Sequence, residues 1–384
     1  MKDQFLLNPD ITFLNHGSFG ACPKPVFEDY QNWQLKLEQD PVQFITNTGQ
    51  KALDTSRKAL ANYVNCEEQD IVYMPNPTTA LNTVIRCLDL KEGDEILCSN
   101  QEYGALDRTW EFYCKKTGAN YVHADITLPL ISKEKFLEEF WKALTPKTKI
   151  IFLSQITSST ALIFPAQEIC DKARELGLMV IVDGAHVPGH IPLDIKKMNP
   201  DIYTGANHKW LLAPKGNTFL YVKKEWQHKI DPLIVSWGYD ADFPSGSQFQ
   251  EYHQYNGTKD FSAYLTTPAC LQFFEKNNWE EKKTICREQL KHFSPILAAE
   301  LNSHLLAPLS DEFFGQICSI PIQSSNPYKL KEYLFNQYQI EIPIMPVGDQ
   351  WYIRTSYQAY NGEKEIEVLI NAIKDIKKNT NLIQ

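Results

Sequence analysis

Three charged residues occupy positions where a folded chain of this pattern would bring reactive side chains together. Asp183 ends the apolar run LMVIVD, and Lys209 comes shortly after the run DIYTG. Arg354 lies late in the chain, within the apolar segment QWYIRTS. Ligands of parallel α/β sheets bind at the carboxyl ends of the strands, so the aspartate and the lysine are expected to face one ligand.

Polar residues follow other apolar runs in the same way. Thr78 and Thr79 come after DIVYM, at the start of a helix-like segment, where free backbone N–H groups and the helix dipole favour an anion. Tyr103 follows EILCSN, and Ser158 follows KIIFLSQ. The set combines an amine, a carboxylate, an anion site and an aromatic ring at one edge of a sheet.

Pyridoxal 5′-phosphate is the cofactor that needs this combination. It requires a lysine amine for a Schiff base, a carboxylate facing its pyridine nitrogen and an anion site for its phosphate. An amino-acid substrate also needs a cation for its carboxylate, which an arginine binds bidentately. We therefore predict that Lys209 forms the Schiff base and carries protons, that Asp183 keeps the pyridine nitrogen protonated, and that Arg354 orients the substrate.

The elements that position these residues alternate along the chain. Apolar runs predict strands over residues 70–74, 95–100, 149–155, 178–183, 201–205 and 217–222. Amphipathic segments predict helices over residues 75–90, 106–118 and 166–177 between them. Strands that are apolar throughout indicate an α/β sheet covered by helices on both faces.

The pattern changes after about residue 270. It predicts helices over residues 280–302, 328–338 and 362–378, and strands over residues 315–322 and 350–356. This order suits a smaller α+β domain.

Composition argues against several classes of protein. The 384 residues carry a net charge of −9, which argues against nucleic acid as the main partner. No apolar run approaches the roughly 18 residues of a membrane helix, and the N-terminus lacks the apolar core of a signal peptide. The nine cysteines form no C-x-x-C pair, which indicates reduced thiols and a cytoplasmic protein. No metal site is predicted, because Val-Pro-Gly interrupts the helix that His186 and His190 would need.

The sequence resembles the fold-type I pyridoxal-phosphate enzymes of aminotransferase class V, most closely the isopenicillin N epimerase-like branch, which also contains cysteine/cystine C–S lyases. Eight segments in family order carry the resemblance: LNHGSFGACPKPV, NPTTALN, QEYGA, SQITSSTALIFP, VDGAHVPG, TGANHKWLLAPKG, NGTKDFSAYL and IRTSYQAYN. It implies a large cofactor domain over residues 21–270, with a mostly parallel seven-stranded sheet between helices. It also implies a small α+β domain over residues 271–384 and an N-terminal segment, residues 1–20, that contributes to the active site.

The resemblance implies a role for each residue around the cofactor ring. Lys209 would carry the Schiff base, and Asp183 would pair with the pyridine nitrogen. Tyr103 would stack on the ring, where many relatives have histidine. His186 would lie close to the ring oxygen, and Ser158 would lie near the ring hydroxyl.

Further residues are implied at the phosphate. Thr78, Thr79 and His208 would hold it from within the chain. Thr258 would reach the same phosphate from a partner subunit, which implies a homodimer with shared active sites. Ala206 stands where many relatives carry a serine, so one phosphate hydroxyl is missing or replaced.

The substrate side is implied in the same way. Arg354 would bind the substrate carboxylate, and His16 and Ser18 would line the substrate side. Gln155 stands where the nearer relatives often have histidine, a departure that could tune the chemistry without preventing cofactor binding.

The sequence leaves the reaction open. Amino-acid epimerisation or C–S lyase chemistry ranks first, a class V aminotransferase is the alternative, and a cofactor-binding protein without turnover is the second alternative. Persulfide-forming desulfurases resemble one another in a catalytic cysteine shortly before the substrate arginine. Here the nearest preceding cysteine is Cys318, within a predicted strand, which disfavours that chemistry.

Overall fold

The computed structural model of the chain describes residues 1–241 and 247–383. Its strands are β1 (Thr12–Phe13), β2 (Ile71–Met74), β3 (Glu95–Ser99), β4 (Asn120–Ala124), β5 (Thr148–Ser154), β6 (Met179–Asp183), β7 (Ile202–Gly205), β8 (Thr218–Val222), β9 (Ile317–Ile322), β10 (Ile340–Glu341), β11 (Ile344–Val347) and β12 (Gln350–Ser356).

The α-helices of the described residues are α1 (His16–Phe19), α2 (Lys24–Gln39), α3 (Pro41–Gln43), α4 (Gly49–Val64), α5 (Pro77–Ile85), α6 (Gly104–Thr117), α7 (Lys133–Lys142), α8 (Ala166–Glu175), α9 (Ile195–Met198), α10 (Lys224–Gln227), α11 (Gln248–Gln254), α12 (Ser262–Leu265), α13 (Thr267–Lys276), α14 (Trp279–Glu300), α15 (Pro327–Tyr338) and α16 (Glu363–Asn379). None of these helices is long and apolar enough to span a membrane.

Seven strands form the central sheet, in the order β2-β8-β7-β6-β5-β3-β4. The strands from β7 to β4 run parallel to their neighbours, whereas β8 is antiparallel to both β7 and β2. The parallel arrangement brings the carboxyl ends of β3, β5, β6 and β7 to one edge of the sheet. The predicted α/β architecture with a mostly parallel seven-stranded sheet is confirmed.

Successive residues of each central strand face opposite sides of the sheet, and both sides are buried. In β5, Ile151 and Leu153 pack into one hydrophobic cluster, whereas Ile150 and Phe152 pack into another. Helices α4 and α8 contribute to the first cluster, and α5 and α6 contribute to the second. Burial on both sides explains why these strands are apolar at every position rather than at alternate positions.

The predicted central strands are all present, and their ends differ from the prediction by at most one residue. The sequence reading missed β4, which pairs only with β3 at the sheet edge. Its sequence NYVHA includes two exposed polar residues and lacks the continuous apolar pattern of the inner strands. An edge strand needs less apolar surface than a central one, so its composition resembles that of a loop.

A three-stranded antiparallel sheet, in the order β11-β12-β9, lies in the C-terminal part of the chain. Pairing of β12 with β9 places Arg354 opposite Ser319 near the middle of this sheet. The N-terminal strand β1 pairs in parallel with β10, so the first residues of the chain are tied to its last third. The division into domains at residues 20 and 270 stays a prediction.

Candidate active site

The predicted residues converge on a cavity of about 280 Å³ at the carboxyl ends of the parallel strands. Nine of them line it: Ser18, Thr78, Tyr103, Ser158, Asp183, His186, His208, Lys209 and Arg354. A larger cavity of about 760 Å³ lies at the amino ends of β5, β6 and β7 and contains none of these residues. The smaller cavity is therefore the candidate active site, because the reactive groups lie there.

Lys209 reaches the cavity from the turn that follows β7. Its backbone carbonyl accepts a hydrogen bond from His16 Nε2 at 3.1 Å, and its amine lies 3.1 Å from His186 Nε2. Burial lowers the pKa of Lys209 to about 8; the positive charge of Arg354 acts in the same direction and Asp183 opposes both. A lysine with such a pKa holds a useful fraction of neutral amine near pH 7, which both a nucleophile and a proton acceptor require.

Asp183 ends β6 and points its carboxylate into the site. The residue is 4% exposed, and Oδ1 accepts a hydrogen bond from the Ala185 N–H at 2.9 Å. Burial raises the pKa of Asp183, while the Ala185 bond and the charge of Lys209 oppose the rise. Among the described residues no cation lies within ion-pair distance of this carboxylate, so a cationic group of a ligand would be stabilised there.

Arg354 enters the cavity from β12 and is 1% exposed. Its Nη1 donates to the Ser158 carbonyl at 2.6 Å, and its Nη2 donates to Ser18 Oγ at 2.8 Å. Its Nε is buried without a hydrogen-bond partner, and no carboxylate of the described residues forms an ion pair with the guanidinium. Burial lowers the pKa of Arg354 to about 10, but the group stays cationic at neutral pH. A buried cation without a counter-ion is costly, which favours the binding of an anion.

The N-terminus of α5 supplies an anion site beside these charges. Asn76 caps the helix by accepting the Thr79 N–H at 2.8 Å, and the neighbouring Thr78 lines the cavity. His208 lines the same cavity and donates through Nδ1 to the Asn217 carbonyl at 3.0 Å. The cavity is thus bordered by the N-terminus of α5, the Thr78 hydroxyl and the His208 imidazole. Together these groups would stabilise a phosphate.

Tyr103 lies at the start of α6 and is 44% exposed at the cavity. Directly before it, Glu102 is buried and accepts hydrogen bonds from Ser99 Oγ at 2.6 Å and from the Ser154 N–H at 2.8 Å. Burial raises the pKa of Glu102 to about 7, although its hydrogen bonds to Ser154 and Ser99 oppose the rise. The Glu102 carboxyl therefore joins the ends of β3 and β5, and Tyr103 is the next residue along the chain. The sequence reading missed it, although its place between a strand end and Tyr103 was visible.

Three predicted residues do not line the cavity. The Thr79 amide is used by the helix cap. His16 is fully buried, with Nδ1 2.9 Å from the Tyr360 hydroxyl and Nε2 bonded to the Lys209 carbonyl, so it supports the lysine turn instead of reaching the substrate side. Thr258 lines a separate pocket with Trp237, and its role toward a partner subunit stays a prediction.

Apolar residues from four distant segments complete the cavity wall. They are Phe19, Leu106, Ile156 and Met345. The resemblance implied no role for any of the four, and each reads in the sequence as an ordinary core or loop residue. Only the folded arrangement shows that they share a wall.

The unsatisfied groups of this cavity fit pyridoxal phosphate. Asp183 is a buried carboxylate in need of a cation, which the protonated pyridine nitrogen provides. The Thr78 end of α5 is suited to the phosphate, and the Lys209 amine is suited to the aldehyde. Arg354 has no role toward these three groups of the cofactor, so it would bind a second anion, such as a substrate carboxylate.

Comparisons with known proteins assign the chain to one family. The model of the aminotransferase class-V family matches residues 21–369. The isopenicillin N epimerase of Amycolatopsis lactamdurans is 30% identical over 98% of both chains. An L-cysteine desulfhydrase of Arabidopsis thaliana is 25% identical over 96% of this chain and 88% of its own.

Solved structures share the fold over nearly the whole chain. A cystine C–S lyase in complex with its product cysteine persulfide superposes with a TM-score of 0.81, at 25% identity over 96% of this chain and 98% of that one. The cysteine desulfurase of Thermococcus onnurineus superposes with a TM-score of 0.84, at 19% identity over 98% of this chain and 97% of its own. This last likeness shows the fold alone. The matches bear out the resemblance, the fold class and the cofactor inferred above.

Replacing Glu102 by glutamine is expected to flatten the pH dependence of stability. The Glu102 pKa rises from 4.5 to about 7 on folding, so between these values the folded chain binds more protons than the unfolded chain. Stability therefore falls as the pH rises through this window, by at most about 1.4 kcal/mol per pH unit. Denaturant unfolding at several pH values measures the slope. Glu138→Gln, at an exposed carboxylate, should keep the wild-type slope, and an unchanged slope in Glu102→Gln would contradict the assignment.

Proposed function

The chain belongs to the aminotransferase class V family of pyridoxal-phosphate enzymes, and from this premise we propose that it cleaves the C–S bond of a small sulfur-containing amino acid. One observation carries the proposal for an α-amino acid substrate. The Arg354 guanidinium is buried without a counter-ion in the cavity that also holds the Lys209 amine. A ligand with a carboxylate next to an amine would meet both groups at once.

Arg354 is the proposed carboxylate receptor. Its Nε is free, and its Nη2 contacts a hydroxyl, Ser18 Oγ, that can yield to or share with a carboxylate oxygen. Nε and Nη2 present two parallel N–H groups, the geometry in which arginine binds carboxylates bidentately. The Ser158 carbonyl accepts a hydrogen bond from the remaining nitrogen, Nη1, and so fixes the plane of the guanidinium group.

Lys209 is the proposed base for the Cα proton. When bound, the cofactor supplies the electron sink that makes this proton removable. Asp183 would hold a proton on the pyridine nitrogen, because no cation of the described residues forms an ion pair with its carboxylate. The Lys209 amine, with its pKa lowered to about 8 chiefly by burial, accepts the Cα proton at Nζ.

The cavity wall supports a side chain that is small and soft. Phe19, Ile156 and Met345 present apolar and sulfur-bearing surface, and the charged residues of the lining already have roles toward cofactor or carboxylate. Sulfur packs favourably against aromatic and thioether groups. A volume of about 280 Å³, shared with a cofactor, suits a small amino acid. Relatives described as L-cysteine desulfhydrases and a cystine C–S lyase support this substrate class.

A persulfide-forming mechanism that uses a cysteine of this chain is disfavoured. Cys318 lies within β9, is 1% exposed, and burial raises the pKa of its thiol to about 11. No cysteine of the described residues lines the cavity. The leaving sulfur would therefore depart into solution, as hydrogen sulfide from cysteine or as a persulfide from cystine, without transfer to a cysteine of this chain.

Epimerisation is the second candidate, and Tyr103 is the observation that favours it. An epimerase needs a proton carrier on each face of Cα, and Tyr103 offers a phenol at the cavity in addition to the Lys209 amine. The relative at 30% identity is an isopenicillin N epimerase. A lyase needs only the lysine, so the two reactions differ in their dependence on the tyrosine hydroxyl.

Homodimer formation with shared active sites is part of the proposal. The segment after β8 exposes a series of large apolar side chains, of which Trp237 is 86% exposed and Val235 is 69% exposed. Trp237 lines the same pocket as Thr258, the residue implied to reach a partner's phosphate. Such a strip on the surface of a single chain is typical of a subunit interface.

The reaction products decide between lyase and epimerase. With L-cysteine, a lyase converts substrate and water into pyruvate, ammonia and hydrogen sulfide, whereas an epimerase yields D-cysteine. Tyr103→Phe should keep lyase turnover within about tenfold, because the ring still stacks. If the enzyme is an epimerase, the same change removes an acid/base group and lowers the rate by about 10²- to 10⁴-fold. Coupled pyruvate and sulfide assays with chiral chromatography measure both. Failure to form pyruvate from both cysteine and cystine would overturn the lyase proposal.

Arg354→Met is expected to weaken substrate binding while leaving the fold intact. The change removes a buried cation that has no counter-ion, so the free energy of unfolding of the cofactor-free chain should not fall. Loss of a buried bidentate charge pair, about 2–5 kcal/mol, should lower kcat/KM for α-amino acids by about 30-fold or more. Arg57→Met is the matched control, because Arg57 is also buried but is paired with Asp54 and lies outside the cavity. It should cost stability and leave KM unchanged; an unchanged KM in Arg354→Met would remove Arg354 from the site.

A further inference from the structure

A line of side-chain contacts runs from Trp210 through His186 to Lys209. The Trp210 indole N–H donates to His186 Nδ1 at 3.3 Å. The other ring nitrogen, His186 Nε2, lies 3.1 Å from the Lys209 amine. Trp210 and His186 are both buried, so water does not supply alternative partners.

These contacts fix the protonation of the imidazole. An indole nitrogen can only donate, so His186 Nδ1 must accept and carries no proton. A neutral imidazole has one proton, which must then sit on Nε2. Burial is the largest cause that lowers the pKa of His186, and it holds this pKa well below its usual value, so the ring is neutral rather than doubly protonated.

The protonation state of His186 determines which form of the Lys209 amine it can hydrogen-bond. A protonated lysine amine has only donors, and it would face the Nε2–H donor of His186 at 3.1 Å. A neutral lysine amine has a lone pair that accepts this hydrogen. We propose that Trp210 is a positioning residue that holds His186 as an Nε2–H donor and thereby favours the neutral, reactive form of Lys209 before the cofactor arrives.

The indole is held firmly in this orientation. The His190 ring stacks on Trp210 with a centroid separation of 4.0 Å, and the His16 ring packs at 4.8 Å. His190 is itself fixed, because its Nε2 accepts the Gln316 N–H at 2.6 Å and its Nδ1 donates to the His186 carbonyl at 2.9 Å. Trp210 is fully buried between these rings and cannot turn its N–H elsewhere without disrupting them.

The charged groups that face Lys209 act together with this contact. Arg354 from β12 disfavours the protonated amine, and Asp183 from β6 favours it. His208 and Tyr103 also line the cavity, and burial lowers the pKa of His208 to about 4. The neutral His186 adds what charge alone does not, a hydrogen bond that only the unprotonated amine can accept.

The arrangement suits a lysine that must attack an aldehyde. A neutral Lys209 acts as a nucleophile without first losing a proton to solvent. His186 then offers the same fixed Nε2–H to an oxygen atom of a ligand placed beside the lysine. The inference rests on the proposed role of Lys209, but its test below uses neither cofactor nor substrate, so its failure would leave the proposed reaction untouched.

The tautomer of His186 can be observed directly. We would label histidine with 15N in the full-length, cofactor-free chain, and assign His186 by comparison with the His186→Asn spectrum. The account predicts an unprotonated Nδ1 and a protonated Nε2 in the wild-type chain. A protonated Nδ1 would overturn the proposal, and this result needs no variant of Trp210 that folds.

Trp210→Phe tests the link to the lysine. Phenylalanine keeps the ring between His16 and His190 but removes the N–H, so His186 can shift its proton to Nδ1 and accept from a protonated Lys209. The pKa of Lys209 should rise, and each unit of rise lowers the neutral fraction at neutral pH about tenfold. Rates of reductive methylation as a function of pH, read from the Lys209 peptide by mass spectrometry, measure this fraction.

Two controls separate this effect from a general loss of packing. Trp110→Phe removes another buried indole N–H, which has no hydrogen-bond partner and lies outside the cavity. This change should leave the pH dependence of the Lys209 methylation rate unchanged. Lys259, whose pKa burial lowers to about 8, is an internal reference outside the cavity and should label equally in all variants. If the methylation rate of Lys209 has the same pH dependence in the wild-type chain and in Trp210→Phe, the proposal is contradicted.

Discussion

The chain places a half-buried amine, a buried carboxylate and a buried guanidinium in one cavity, and among the described residues none of the three forms an ion pair. Removing charges from water without pairing them is among the most costly things a fold can do. Lys209 responds with a lowered pKa, Asp183 with a raised one, and Arg354 remains a cation held by a carbonyl and a hydroxyl. A zwitterionic cofactor and an anionic substrate group would relieve this cost, so the relief is a source of binding energy.

The rest of the fold holds these groups in place from distant parts of the chain. The parallel sheet delivers Asp183 at the end of β6 and Lys209 just after β7, while the C-terminal sheet delivers Arg354. The N-terminal segment closes the arrangement. Gly20, with φ of 71°, packs so closely under the lysine turn that a Cβ atom would lie 2.2 Å from the His208 carbonyl, so this approach requires glycine. Because β1 pairs with β10, the segment that carries Ser18 is fixed to the same part of the molecule as Arg354.

Sequence reasoning predicted the parts of this site that follow a regular pattern. Asp183 was visible because five apolar residues precede it, and Arg354 because it interrupts an apolar strand. The apolar wall of Phe19, Ile156 and Met345 was not, because nothing local distinguishes these residues from core. His16 shows the limit of such a pattern: a histidine beside a glycine turn reads as a ligand-binding residue, whereas the structure shows its buried ring bonded to the Lys209 carbonyl, and its contact with substrate stays a prediction. Such roles depend on contacts between residues far apart in sequence, which patterns of period two or 3.6 do not encode.

The central claim is that geometry, and not basicity alone, selects Lys209 for the cofactor. The pKa values of Lys215 and Lys259 are also lowered, so the amine reactivity of the chain is shared by several lysines. Borohydride reduction of the protein loaded with pyridoxal phosphate, followed by peptide mass spectrometry, shows which amine carries the cofactor. The account predicts a single modified site at Lys209. Modification of Lys215 or Lys259 with an unmodified Lys209 would contradict it.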